Sequence, residues 1–211
     1  MNRDALASHL QVKTYGGFTL TDAIRPAPAV PVRPRQGFRV QVFRDPARRV
    51  RMPMLSAAVS AEILFDTFVE LLAPLGEDVH VVVESSHGSR ADRHQDYRRD
   101  NIDAPILASY CYEFEELLVN DGCTGMAVLS SRGPMEVQFD EHKLLHVYAP
   151  DLTPFRNILR GLGVRRRKDL PLISEAEHLH HSSDAYADEF QQLCVRLGVG
   201  DFDAVFSDES Y

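Results

Sequence analysis

A chain of 211 residues with 44% hydrophobic and 9% aromatic composition is long enough to close one ordinary core without staples. Its three cysteines, Cys111, Cys123 and Cys194, are widely spaced and form no Cys-x-x-Cys pair, which argues against a disulfide framework or a thiolate zinc site. The net charge of -8 is unevenly placed: ten Lys and Arg stand against three Asp and Glu in the first 54 residues, thirteen against twenty-eight in the other 157.

That balance disfavours nonspecific nucleic-acid binding, because phosphates would be met against the mean field. The start, Met1-Asn2-Arg3-Asp4, lacks the apolar run of a signal peptide, and the greasiest stretch, Val59 to Leu75, is broken by Glu62, Asp66 and Glu70, so no membrane span is expected. A reducing cytoplasm is the expected setting, and twenty Arg against three Lys point to a GC-rich bacterial genome. A basic head on an acidic body is expected to rest on its own body, on a second copy, or on an acidic protein partner.

In chain order, residues 1–24 form a basic N-terminal arm, with a short helix over Asp4 to Leu10 that Gly16-Gly17 stops. Residues 25–36 carry four prolines and read as an extended strap. A single α+β domain follows over 37–197. It opens with an antiparallel hairpin, in which Phe38, Val40 and Val42 alternate with polar residues, Asp45-Pro46 turns, and Val50, Met52 and Met54 return.

From Ser56 the apolar period becomes helical through Val59, Ile63, Phe68, Leu71 and Leu75, closed by Pro74-Gly76. The acidic row Glu62, Asp66, Glu70 on its opposite face would be answered by Arg44, Arg48, Arg49 and Arg51 of the hairpin. Val79 to Val83 reads as a central strand with both faces covered. Ser85 to Asn101 reads as a long polar loop. A helix capped by Asp103 runs to Asn120. Strands around Met126 to Val128, Met135 to Phe139 and Leu145 to Tyr148 make a meander, and two helices follow, over Thr153 to Leu162 and around Tyr186 to Leu197. Residues 198–211 form an acidic-aromatic tail. The fold class is therefore α+β, with a mixed, mainly antiparallel sheet covered by about four helices, mostly on one side.

No glycine-rich phosphate loop, no Gly-x-Ser-x-Gly elbow and no cysteine beside a local histidine occurs. Three constellations carry chemistry. In the 85–99 loop, His87, Ser89, Arg90, Arg93 and His94 could hold an anion through backbone donors and guanidinium groups. In Glu175-Ala-Glu177-His178-Leu-His180-His181, a helical reading places Glu177, His178 and His181 on one face, a ligand set suited to zinc, iron or manganese. His142 and His146 add ligands only if the fold brings them close. Arg165 to Lys168 reads as a solvated basic run.

The leading expectation is a noncatalytic binding or accessory module acting through a protein partner or self-association. The alternative is a metal-dependent hydrolase or oxygenase using the histidines at 178–181, and the third is an anion or nucleotide sensor using the 85–99 loop.

Overall fold

The computed structural model describes residues 10–27, 33–47, 49–88 and 94–199. Its strands are β1 (Ile24–Pro26), β2 (Gly37–Asp45), β3 (Val50–Ala58), β4 (Asp78–Ser85), β5 (Gln95–Asp103), β6 (Thr124–Ser130), β7 (Glu136–Phe139), β8 (Leu144–Tyr148) and β9 (His178–His180). Its helices are α1 (Ala61–Leu72), α2 (Ala104–Glu113), α3 (Glu115–Asn120), α4 (Thr153–Gly161) and α5 (Asp184–Leu197). Seven strands form one sheet in the order β2-β3-β8-β7-β6-β4-β5, and β1 pairs with β9 in a separate two-stranded ribbon. Every ladder is antiparallel. The mixed α+β class with a mainly antiparallel sheet is the one the sequence predicts. No helix among the described residues is long and apolar enough to cross a membrane.

All five helices cover one face of the sheet. Alternate strand residues, including Leu55, Val81, Val83, Val128, Val137 and Val147, bury there against Phe65, Phe68, Leu107, Leu117, Phe155 and Phe190 of the helices. Among the described residues, the opposite face is covered at one end. There Ala58 and Leu144 meet a second apolar cluster, made by Phe18, Leu20, Ala23 and Ile24 before the strap and by Leu170, Leu172 and Ile173 before β9.

The hairpin is β2–β3, paired from Gly37↔Ala58 to Asp45↔Val50, and the meander is β6–β7–β8. The last helix starts at Ser183, whose hydroxyl accepts the Tyr186 amide, and stops at Gly198 in the left-handed region.

Five expectations are corrected. The helix expected from Ser56 begins at Ala61, because Ser56 to Ala58 are taken by β3 pairing with β8. The helix expected to run unbroken to Asn120 is divided at Phe114 (φ -112, ψ 27). The polar loop expected to reach Asn101 ends early, because residues 95–103 form the edge strand β5 on β4. Val79 to Val83 has a partner on each side but only one fully buried face: burial alternates along β4. The hairpin cations do not answer the acidic row of α1 as expected, since Glu62 takes the Ser60 hydroxyl, while Asp66 and Glu70 are exposed.

The described part of the basic head lies on the body through apolar burial and strand pairing. Its charges are spent partly locally and partly on the body: Lys13 and Arg25 both pair with Asp22, the buried Arg25 also donates to the carbonyls of Leu10, Thr21 and Ile24, while Arg39 pairs with Glu175 and Arg35 donates to Asp169 O. The exposed Arg165–Lys168 run borders β2, with Phe38 donating its amide to Arg165 O and accepting the Arg167 amide, on either side of Arg166. The expected helix before Leu10 and the acidic-aromatic tail lie outside the described residues.

Candidate metal centre

Four separate segments meet at one end of the sheet. They are the turn joining β7 to β8, the ribbon strand β9, the loop joining α3 to β6, and the residues leaving β4. The β7–β8 turn is tight: Lys143 donates its amide to Asp140 O at 3.0 Å, and Asp140 donates to Leu144 O at 3.1 Å. It is closed by Lys143 at φ 59, a left-handed position where a side chain costs roughly 1–2 kcal/mol. The turn turns His142 towards β9. In β9, side chains two apart share a face, so His178 and His180 stand together, and pairing with Pro26 and Ile24 fixes their place.

The three rings form a triangle, with centroids 4.7 Å (His142 to His178), 5.0 Å (His142 to His180) and 4.9 Å (His178 to His180) apart. One ring nitrogen from each lies within 4.8 Å of the others. The Nδ1 atoms are all engaged, with Asp140 Oδ2 at 3.0 Å from His142, Ala176 O at 2.6 Å from His178 and Gly122 O at 2.6 Å from His180. Carbonyls and carboxylates only accept, so each Nδ1 carries a hydrogen and each neutral ring leaves its Nε2 lone pair free. Three imidazoles gathered this closely, each held from behind at Nδ1, are a ligand set that a tetrahedral ion with one open position can take. His180 is exposed and His142 and His178 half-buried, so that open position faces solvent.

Electrostatics separate the three rings. Burial pushes the His180 pKa down, and the nearby His142 and His178 add to this, against the Gly122 carbonyl and Glu141. Burial acts the same way on His142, but the hydrogen bond and charge of Asp140, with Glu141, outweigh it and raise its pKa. Asp140 is itself hub-like. Burial opposes its charge, yet bonds to His142 and to His146 Nε2 (3.3 Å) hold it well below the ordinary carboxylate range. Its other oxygen accepts the Leu144 amide at 2.8 Å. His146 in turn reaches Ser56 Oγ at 2.9 Å. His146 therefore supports the cluster from outside it.

Two further charges border the centre. Glu141 accepts the Ser86 hydroxyl at 3.1 Å and stands half-buried in the same turn as His142. Lys143 is buried and donates to Thr124 O at 2.8 Å. Burial lowers its pKa to about 8, against the pull of Asp121, Asp140 and Glu141.

The sequence-expected residues divide as follows. Of Glu177, His178 and His181, the structure brings only His178 to the cluster. Residues 178–180 are strand, not helix, so His180 replaces His181, which faces a cleft lined by Lys13, Asp22 and Arg25, and Glu177 is exposed. Of the 85–99 set, His87 lies beside Asp121, His94 is exposed before β5, and Ser89, Arg90 and Arg93 lie outside the described residues. The signal that could have found His180 is the spacing His178-x-His180, which belongs to strand periodicity. Nothing local marks His142.

No family model, curated protein or solved structure matches this chain.

Proposed function

We propose that the protein is a metal-dependent enzyme of hydrolytic type, with a divalent ion, zinc by ligand chemistry, on His142, His178 and His180. The observation that carries this is the convergence of three imidazoles whose Nδ1 atoms are all tied to oxygen acceptors. Three neutral ligands leave the full double charge on the ion. That favours a strong Lewis acid able to bring bound water to a pKa near 7, rather than the two-histidine, one-carboxylate set of iron oxygenases. Glu141, in the turn beside His142, is the carboxylate that would take a proton from such a water.

Untagged protein analysed by inductively coupled plasma mass spectrometry tests it. A stoichiometric ion that is lost in His178→Ala and in His142→Ala, together with zinc-dependent cleavage of simple esters or phosphoesters, is the expected result. Loss of neither metal nor fold in those variants defeats the reading.

A second reading, self-association through a noncatalytic surface, is favoured by a different observation. Val42, Phe43 and Val50 are 45%, 40% and 40% exposed at the far end of the β2–β3 hairpin, beside Arg44, Arg49 and Arg51. A second copy offers the opposite charge through its acidic body. Concentration-dependent mass in light scattering, reduced in Phe43→Ser, would support it.

A further inference from the structure

We infer that the chain carries a second cation site, distinct from the three-histidine centre, in which His87, Asp121 and Cys123 hold a zinc ion. One ligand atom from each of the three lies within 4.8 Å of the others. The site joins the chain leaving β4 to the loop between α3 and β6, and Ser86 donates its amide to Cys123 O at 2.9 Å, which fixes the two segments side by side.

Two orphaned atoms point into this place. Asp121 is 0% exposed, and its Oδ1 makes no hydrogen bond of ordinary geometry among the described residues, although, against burial, His87, Ser182 and Thr124 hold the carboxyl's pKa below its usual value. Its Oδ2 accepts the Thr124 hydroxyl at 2.5 Å. The His87 Nε2 is also buried without a hydrogen bond. It stands 3.0 Å from Asp121 Oδ2, a close charge contact that falls short of hydrogen-bond geometry. An unpaired buried carboxylate oxygen beside an unpaired ring nitrogen is costly, roughly 1–3 kcal/mol for each group. A cation relieves both at once.

The other side of the ring is compatible with metal binding at Nε2. His87 Nδ1 lies 2.8 Å from Ser85 Oγ, a hydroxyl that can accept an Nδ1–H when a cation takes Nε2. Cys123, half-buried, adds a thiolate. Nitrogen, oxygen and sulfur donors together suit zinc and exclude magnesium and calcium, which require oxygen. Carboxylate and thiolate also match the ion's two charges. The set contains one cysteine, so the absence of Cys-x-x-Cys spacing does not bear on it.

The site does not require the three-histidine reading, but it would brace it. Gly122, between Asp121 and Cys123, offers the carbonyl that holds His180 Nδ1.

Cobalt substitution tests the site directly. A cobalt–thiolate bond gives a near-ultraviolet charge-transfer band that imidazole and carboxylate ligands do not. Cys111 and Cys194 cannot supply it, since both are buried in the apolar core and burial pushes their thiols up to about 12.

Full-length, chelator-stripped protein loaded with Co²⁺ should show the band. It should persist in the double variant His178→Ala, His180→Ala and vanish in Cys123→Ser, with one fewer zinc ion per chain. His87→Gln, should Cys123→Ser not fold, must weaken the band as well. Absence of the band in loaded wild-type protein, or metal content unchanged by Cys123→Ser, would overturn the site and show His87 and Asp121 to be a plain ion pair. A band lost only in the double variant would also overturn it. Failure of the first centre appears instead as metal content unchanged by the double variant.

Discussion

Gly122 packs directly against the backbone of Ala23 and His181, and replacing it by alanine has a cost that can be worked out. A Cβ there would overlap the Ala23 carbonyl oxygen and stand 2.8 Å from His181 O and 2.9 Å from His181 N, all backbone atoms that cannot rotate away. The β1–β9 ribbon must therefore retreat. Three hydrogen bonds are then at risk: Gly122 N to His181 O at 2.7 Å, His181 N to Ala23 O at 2.8 Å, and His180 Nδ1 to Gly122 O at 2.6 Å. At about 1 kcal/mol net for each, the loss is about 3 kcal/mol, which for a chain of this size lowers Tm by about 6–12 °C. The same retreat takes His180 and His178 from His142, so metal retention should fall with stability. Urea unfolding and metal content of Gly122→Ala are the measurements, with Gly133→Ala as control, since nothing lies within 4 Å of a Cβ at Gly133. If Gly122→Ala unfolds within about 0.5 kcal/mol of wild type, the range of an ordinary surface change, and keeps its metal, the account of how the ribbon seats the histidines is wrong.

Other consequences are open to direct measurement. Asp140→Asn keeps a group that can accept from His142 but removes the charge that orients it, and should weaken zinc binding by about 10–100-fold in a competition titration while the fold survives. Phe68→Ala removes a ring with no exposure that packs 5.1 Å from Phe139 at the centre of the helical face, and should cost about 3–5 kcal/mol in urea unfolding. Burial raises the pKa of Glu136, against a hydrogen bond from Gln138. The unfolded chain therefore ionises first, and the folded state loses stability as pH rises past the ordinary value of 4.5. Glu136→Gln should accordingly raise Tm at neutral pH and change it little below 4.5. A constant difference at both would refute the assignment.

How much of this was legible in the residues depends on where each element finds its partner. The β2–β3 hairpin and the β6–β7–β8 meander pair with near neighbours in sequence, and their alternation is visible as Phe38-Val40-Val42 and Met135-Val137-Phe139. α5 announces itself through Ser183 and Gly198. β5 does not, because an edge strand with Asp96, Arg98 and Asp100 in water has almost no apolar period. Tyr97 and Ile102 are what it gives to the core, and its ladder is interrupted by a bulge between Val79 and Val81. β9 is harder still. Three residues carry no period, and only the ribbon partner Ile24–Pro26, more than 150 positions earlier, makes them a strand. A histidine run read in isolation falls naturally into helical spacing, which groups His178 with His181. The strand groups it with His180, and His142 enters from a turn whose geometry depends on the whole meander.

The same dependence changes what the basic head is for. Opposite net charges predict attraction, but a solvent-exposed ion pair contributes about 0–1 kcal/mol and is screened by salt. Burying a Phe, Leu or Ile side chain contributes about 1.5–3 kcal/mol, and the head buries Phe18, Leu20 and Ile24 against Leu144, Leu170, Leu172 and Ile173. Apolar contact therefore contributes most to where the head rests; Lys13 and Arg25 turn to Asp22 and to backbone carbonyls, and Arg39 adds one ion pair to the body at Glu175. The head is thereby a structural part of the candidate centre: its strand β1 holds β9, and β9 carries two of the three rings. Because those rings meet only when both ends of the domain are in place, an ion bound there stabilises the complete fold over any partly assembled state by the full binding free energy.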